Sequence, residues 1–206
     1  MRIVALALAL SSLVTIAGPA RTQDFAGAPL PLKVWLRREA APFAITRYTA
    51  MISQANNKFA FLVPEQFYTR GDPSSGTFTL ANAEGNSSIT FSVLPAESSD
   101  GTGISEDALR ERALSESPNG KIIEEFQGFA GGGQGPGFDL QWKASDKVTE
   151  CKRVVFAFTK AGILEFTMTT SSDNFEKAKS ALKGACMSLR FSTDGVLKIP
   201  PLPSDS

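Results

Sequence analysis

Two stretches near the C-terminal end of the chain, Lys152–Thr159 and Ile163–Thr170, alternate apolar with other side chains and are separated by a short turn containing Ala161-Gly162. A period of two sends successive side chains to opposite faces of a strand, so the pair predicts an antiparallel hairpin with a bulky apolar face. Val154, Phe156 and Phe158 form that face on the first strand, and the alternation assigns Leu164, Phe166 and Met168 to the same face of the second. Immediately afterwards Phe175, Ala178, Leu182 and Ala185 recur at helical spacing. Asp173 with Glu176 three residues on predicts a capped start for this helix, and Gly184 marks its expected end. A short strand, Ser188–Phe191, closes the run. A hairpin followed by a helix and one more strand is the pattern of a sheet with a helix laid on it.

The upstream segments extend that sheet. Ile45–Ser53 and Lys58–Val63 flank Asn56-Asn57, and Thr77–Ala81 and Ser88–Leu94 flank a polar turn over 82–87, so two further hairpins are expected. A helix is predicted from Glu106 to about Ser115, with Ser105 capping its free amides and Ile104 stapled onto Leu109. Lys121–Phe129 and Phe138–Lys143 are predicted as strands on either side of a glycine-rich break, Gly131 to Gly137, expected to be a mobile hairpin loop. Hairpin connections rather than long intervening helices set the class as α+β, an antiparallel sheet of about six or seven strands flanked by helices.

In this order the residues carry a family resemblance. A strand Phe59-Ala60-Phe61-Leu62-Val63 running into Pro64, a mid-chain helix, the Arg-bearing strand Arg153-Val154-Val155-Phe156 with its hairpin partner, Phe175 on a helix and the closing Ser188-Leu189-Arg190-Phe191 together resemble the PsbP superfamily. That group is similar to the Mog-type factor that binds the GTPase Ran, and it includes bacterial envelope proteins of the DcrB and LpqN kinds. The likeness covers roughly 45–191 and lies in element order and hydrophobicity. It implies a sheet of six or seven strands flanked by helices, and a binding, assembly or stabilising role rather than catalysis. No family site residue maps onto a position of this chain.

The N-terminus has the three parts of a secretory leader: Arg2, an apolar stretch from Ile3 to Ala17, and the small residues Gly18 and Ala20 at cleavage positions. A signal peptide over 1–20 is expected, then a flexible lead-in over 21–32, the PsbP/Mog-like domain over 33–191 and a Pro-rich tail over 192–206. With no Cys near the cleavage region to carry a lipid, the expected product is periplasmic or secreted, without a permanent membrane anchor. Lys plus Arg and Asp plus Glu both total 21 in 206 residues, and no run of five like charges occurs, so the sequence indicates neither nucleic acid nor an anionic membrane as partner.

The chain contains no His. Ser-His-Asp and Cys-His triads, His-based zinc sites and imidazole acid/base catalysis are therefore excluded. Two Cys, Cys151 and Cys186, do not make a four-thiolate site; in an exported chain they are disulfide candidates, although alternation puts Cys151 opposite the Val154 face. Ser180-Ala181-Leu182-Lys183 has Ser-x-x-Lys spacing without the companion motifs of penicillin-recognising enzymes, and reads as helix surface. Glu124 and Glu125 should point to opposite faces of one strand, and a cation site would need further oxygens such as Asp100 from separate loops. No catalytic residue, metal ligand or cofactor is assigned. Phe129, Phe138 and Trp142, large side chains around the glycine run, are the expected partner or ligand surface. The resulting expectation is an exported, non-catalytic binding or assembly module whose partner is an envelope protein. The alternative is a small-molecule or lipid carrier with an aromatic-lined pocket.

Overall fold

The structure, a computed structural model, describes residues 30–40, 46–94, 104–115, 117 and 119–197. The expected leader, most of the lead-in, Asp100 and the Pro-rich part of the tail lie outside the described residues. The described chain forms strands β1 (Lys33–Ala40), β2 (Thr46–Gln54), β3 (Asn57–Leu62), β4 (Phe67–Arg70), β5 (Thr77–Asn82) and β6 (Ser87–Leu94). Helix α1 (Glu106–Ser115) follows, then β7 (Lys121–Ala130), β8 (Gly133–Lys143), β9 (Thr149–Thr159), β10 (Gly162–Ser171), helix α2 (Phe175–Ser188) and β11 (Arg190–Ser192).

Every strand pairing is antiparallel. The strands make a seven-stranded sheet, β4-β5-β6-β10-β9-β8-β7, and a second sheet of four, β1-β2-β3-β11. The α+β class and the size of the main sheet agree with the sequence pattern. The expected strands Ile45–Ser53, Lys58–Val63 and Ser188–Phe191 are not part of the main sheet: as β2, β3 and β11 they join β1 in the small sheet. Its edge strand β1 shows mostly exposed residues, including Trp35, Arg37 and Arg38, so it has no clean apolar alternation to announce it.

The small sheet lies over one part of the large one, and Phe59 and Phe61 from β3 meet Phe78, Phe91 and Phe166 across the interface with ring centroids 5.3 to 6.0 Å apart. These five rings are buried to 3% exposure or less and fill the space between the sheets. Helix α2 completes this layer by burying Phe175, Ala178, Leu182 and Ala185, its expected stripe. On the opposite face of the large sheet, Leu109 and Ala113 of α1 pack with Phe138, Leu140, Val154 and Phe156.

That arrangement corrects the expected alignment of the last hairpin. The register pairs Phe166 with Val155 and Leu164 with Ala157, so Leu164, Phe166 and Met168 face α2 while Val154 and Phe156 face α1. β9 is apolar on both faces over 154–157 because a layer covers each. The glycine run is corrected too: it is strand. Only Gly131 and Gly132 form the turn, with φ of 58° and 81°, and β8 runs through the remaining glycines. A Cβ on Gly135 would lie 2.7 Å from the Phe156 carbonyl oxygen of the next strand, which explains glycine inside a ladder.

At helix ends the outcomes differ. Ser105 Oγ accepts the Ala108 N–H at 3.2 Å, as expected, and Ile104 packs into the cluster that holds Leu109. Ahead of α2, Ser172–Asn174 form a 3₁₀ turn, and Asp173 makes no cap. The helix also passes Gly184 and continues to Ser188, because Ala185 and Cys186 are buried beyond the glycine. Ser188 Oγ then accepts the Leu62 N–H at 2.9 Å and ties the helix end to β3. The first hairpin turns at Ala55-Asn56, one residue earlier than expected, with Ala55 at φ 51°.

Candidate functional site

The face of β7, β8 and β9 that looks toward α2 is built around a seam of glycines. Gly128 pairs with Gly135, and Gly137 pairs with Phe126. The Phe126 ring lies against Gly137 where any Cβ would overlap it. On top of that ring stacks the Arg153 guanidinium, 4.2 Å from the centroid, a cation–π contact that also orients the fork.

Arg153 points the fork at Asp139, its register partner on β8. Its Nε donates to Oδ1 at 2.6 Å and its second terminal nitrogen donates to Oδ2 at 2.7 Å. From α2, Lys179 Nζ approaches Asp139 Oδ2 at 3.4 Å and bonds Glu176 one turn away at 2.9 Å. Glu124 stands 3.7 Å from Arg153. The Asp139 side chain is 1% exposed, so a charge there requires cations on both oxygens, and the fold supplies one from a neighbouring strand and one from the helix. Burial alone would lower the Lys179 pKa, but the Glu176 hydrogen bond and the Asp139 charge outweigh it and hold the ammonium above its ordinary range. This cluster locks α2 to the sheet.

Beside it opens a groove of about 510 Å³ between α2 and β7. Phe126, Gly128 and Val155 line it from the sheet, and Leu182, Lys183 and Met187 line it from the helix. Met187, 74% exposed, reaches solvent at its mouth, while Phe129, 59% exposed, lies along its edge and alternates to the other face of β7 from Phe126 and Gly128. β7 is the last strand of its sheet, with β8 on one side and no strand on the other among the described residues. Its first half is blunted as an edge by Lys121, Glu124, Glu125 and a bulge between Ile122 and Glu124; its second half, Phe126–Ala130, carries no charge.

Of the three expected surface residues, the structure puts Phe129 at this groove and the other two elsewhere. Phe138 is fully buried beneath α1, with Arg110 5.7 Å above its ring. Trp142 is half-buried, paired with Glu150 toward the far end of β8. The reason is strand parity: Phe138, Leu140 and Trp142 share the α1 side, whereas Gly137 and Asp139 share the groove side. Glu124 and Glu125 do point to opposite faces, toward Arg153 and Arg110 respectively. Sequence reading missed Arg153, Lys179 and Met187. The available signal was Arg153 inside an otherwise apolar alternation, which demands a buried counter-charge.

Cys151 and Cys186 are both buried and both free. Cys151 is opposite Thr170, just before the chain turns into α2, while Cys186 lies eleven residues beyond the first residue of that helix, about 16 Å along its axis. Desolvation raises both thiol pKa values, that of Cys186 to about 12, so neither is a thiolate nucleophile at neutral pH. Ser180 and Lys183 lie exposed on the groove rim rather than around a reacting centre. Among the described residues no three His, Cys, Asp or Glu side chains gather as a metal site.

No family model matches the chain, and no curated protein sequence matches it. Solved structures do. The Ran-binding protein Mog1p of Saccharomyces cerevisiae is 10% identical over 77% of this chain and 96% of its own, with a TM-score of 0.47. The cyanobacterial PsbP of Synechocystis is 13% identical over 75% and 91%, with a TM-score of 0.48. A protein of unknown function from Pseudomonas aeruginosa is 16% identical over 84% and 99%, with a TM-score of 0.41. The first two carry the names of the family that the sequence pattern resembles. At these identities no residue's role transfers.

Proposed function

We propose that this chain is an exported, non-catalytic binding or assembly module that takes an extended segment of a partner protein into the groove between α2 and β7. The observation that carries the reading is the open, uncharged half-edge of β7, with Phe129 exposed along it and Met187 exposed across the groove on α2. An extended segment can add to a sheet edge through its backbone and gain specificity by placing alternate side chains in a neighbouring slot. Here the slot is apolar at Phe126, Val155 and Leu182, and Lys183 on the rim has no acidic partner among the described residues. The chemistry favours a segment with an apolar anchor followed by an acidic residue.

The absence of His and the high thiol pKa values support a non-enzymatic role. The filled aromatic layer between the sheets favours surface recognition over the carrier alternative, which needs an enclosed pocket. Export rests on the leader pattern at 1–20. No helix among the described residues is long and apolar enough to cross a membrane.

Two measurements test the reading. Affinity capture from the native envelope fraction should recover a reproducible partner with the native chain and lose it with Met187→Lys. Native mass spectrometry should show the bare chain mass; a retained small molecule, with no partner lost on Met187→Lys, would overturn the reading in favour of a carrier.

A further inference from the structure

The neutral charge total conceals a segregation that only the register reveals. In the small sheet, Ala50, Ile52, Phe59 and Phe61 face the core, so the alternate residues form its outer face. Reading across the strands, one row is Lys33, Ser53, Lys58 and Ser192; the next is Trp35, Met51, Ala60 and Arg190; the third is Arg37, Thr49 and Leu62. Arg47 follows at the end of β2, opposite Glu39. Five cations thus share one sheet face with two acidic positions among the described residues, Glu39 opposite Arg47 and Asp194 just past β11, which accepts from Ser192 Oγ. Lys33, Arg37, Arg47 and Arg190 are exposed, and Lys58 donates to Ser53 Oγ at 2.6 Å, which holds its ammonium on the same face. Between the cations lies an apolar centre: Trp35 at 49% exposure, Leu62 at 38%, and half-buried Met51.

We infer that this outer sheet face docks the chain onto an anionic lipid surface. Four strands spaced about 4.8 Å apart make a patch about 14 Å wide, broad and shallow rather than a slot for one side chain. Cations set around an aromatic and aliphatic centre match a bilayer boundary: the basic groups meet lipid phosphates while Trp35, Met51 and Leu62 enter the headgroup layer. A single-stranded nucleic acid would ask for a succession of stacking rings, and this face carries one. The α2–β7 groove belongs to the other sheet, so the module could engage a partner segment while lying on a membrane.

The test is co-sedimentation of the full chain with vesicles of phosphatidylcholine alone and of phosphatidylcholine with phosphatidylglycerol. The N-terminal stretch carries Arg2 and can itself favour acidic vesicles, so the sheet face is reported by variants on it that leave that stretch untouched. Each basic residue near an anionic surface contributes about 1 kcal/mol, or about five-fold in partition. Lys33→Gln with Arg190→Gln, both exposed, should therefore lower partition onto acidic vesicles about 25-fold and leave neutral vesicles and the melting temperature unchanged. In a Trp142→Phe background, which leaves Trp35 as the sole reporter, emission should shift to the blue with acidic vesicles only. Raising the salt, which shortens the range of these charges, should release the chain. Equal partition onto both vesicles, an unchanged double variant, or retention by an oligonucleotide but not by acidic vesicles would overturn the inference.

Discussion

Replacing Asp139 by Asn keeps the size of a buried side chain and removes its charge. Asp139 now accepts two charge-assisted bonds from Arg153 at 2.6 and 2.7 Å and holds Lys179 at 3.4 Å. An amide keeps one acceptor oxygen and turns its NH2 toward donors, so one strong bond is lost and two cations are left without their shared counter-charge. A charged hydrogen bond contributes about 1.5 to 3 kcal/mol, and stripping one partner from a fully buried pair costs about 3 to 5 kcal/mol. Arg153 and Lys179 are 19% and 20% exposed, so water recovers part of that cost. The expected loss is about 3 kcal/mol, measured by urea unfolding at pH 7 as a lower midpoint with an unchanged slope. In an Arg153→Met background the same substitution should cost about 1 kcal/mol, a coupling of about 2 kcal/mol. A loss below about 1 kcal/mol, or no coupling, would refute the view that this cluster fastens α2 to the sheet.

Gly137→Ala should push the Phe126 ring from its seat and destabilise by about 1 to 3 kcal/mol, whereas Gly132→Ala, which meets open space, should cost only the strain of its φ of 81°; thermal melts distinguish the two. In the folded protein at pH 8, Cys186 should react with a thiol reagent about a thousand-fold more slowly than in the unfolded chain, because its pKa rises from 9.0 to about 12. The sign for stability follows: the raised thiol favours the fold fully below pH 9.0, and that contribution is lost as pH rises toward about 12, so Cys186→Ala should flatten the alkaline fall in stability. Alkylation after unfolding without reductant should add two labels, and none would show that Cys151 and Cys186 are bonded.

Some local signals in the sequence held and others did not: Asp173 makes no cap and Gly184 does not end α2. The Ser105 cap and the Phe175, Ala178, Leu182, Ala185 stripe each depend on residues within a turn or two, and both appear as the pattern implies. Facing was harder. Val154 and Phe166 are both apolar, and only the register decides that they look to opposite layers. The glycine run misled for a related reason: glycine weakens a strand unless a neighbour occupies the space of its missing Cβ, and here Phe126 and the Phe156 backbone do so from other strands. No local signal announced the groove, because Phe129 and Met187 come to line it only when α2 lies back across β7. The basic sheet face was invisible to a charge count, since β1, β2, β3 and β11 contribute to it from distant parts of the chain.

The central claim is that the α2–β7 groove is where a partner segment docks. A photoreactive residue placed at Met187, with controls at Ile123 on the blunted half of β7 and at Val148 away from the groove, tests it in the native envelope fraction. The account predicts one dominant adduct from Met187, diminished by Phe129→Ser, and none of that mass from the two control positions. The same adduct from all three positions, or from Val148 alone, would contradict it.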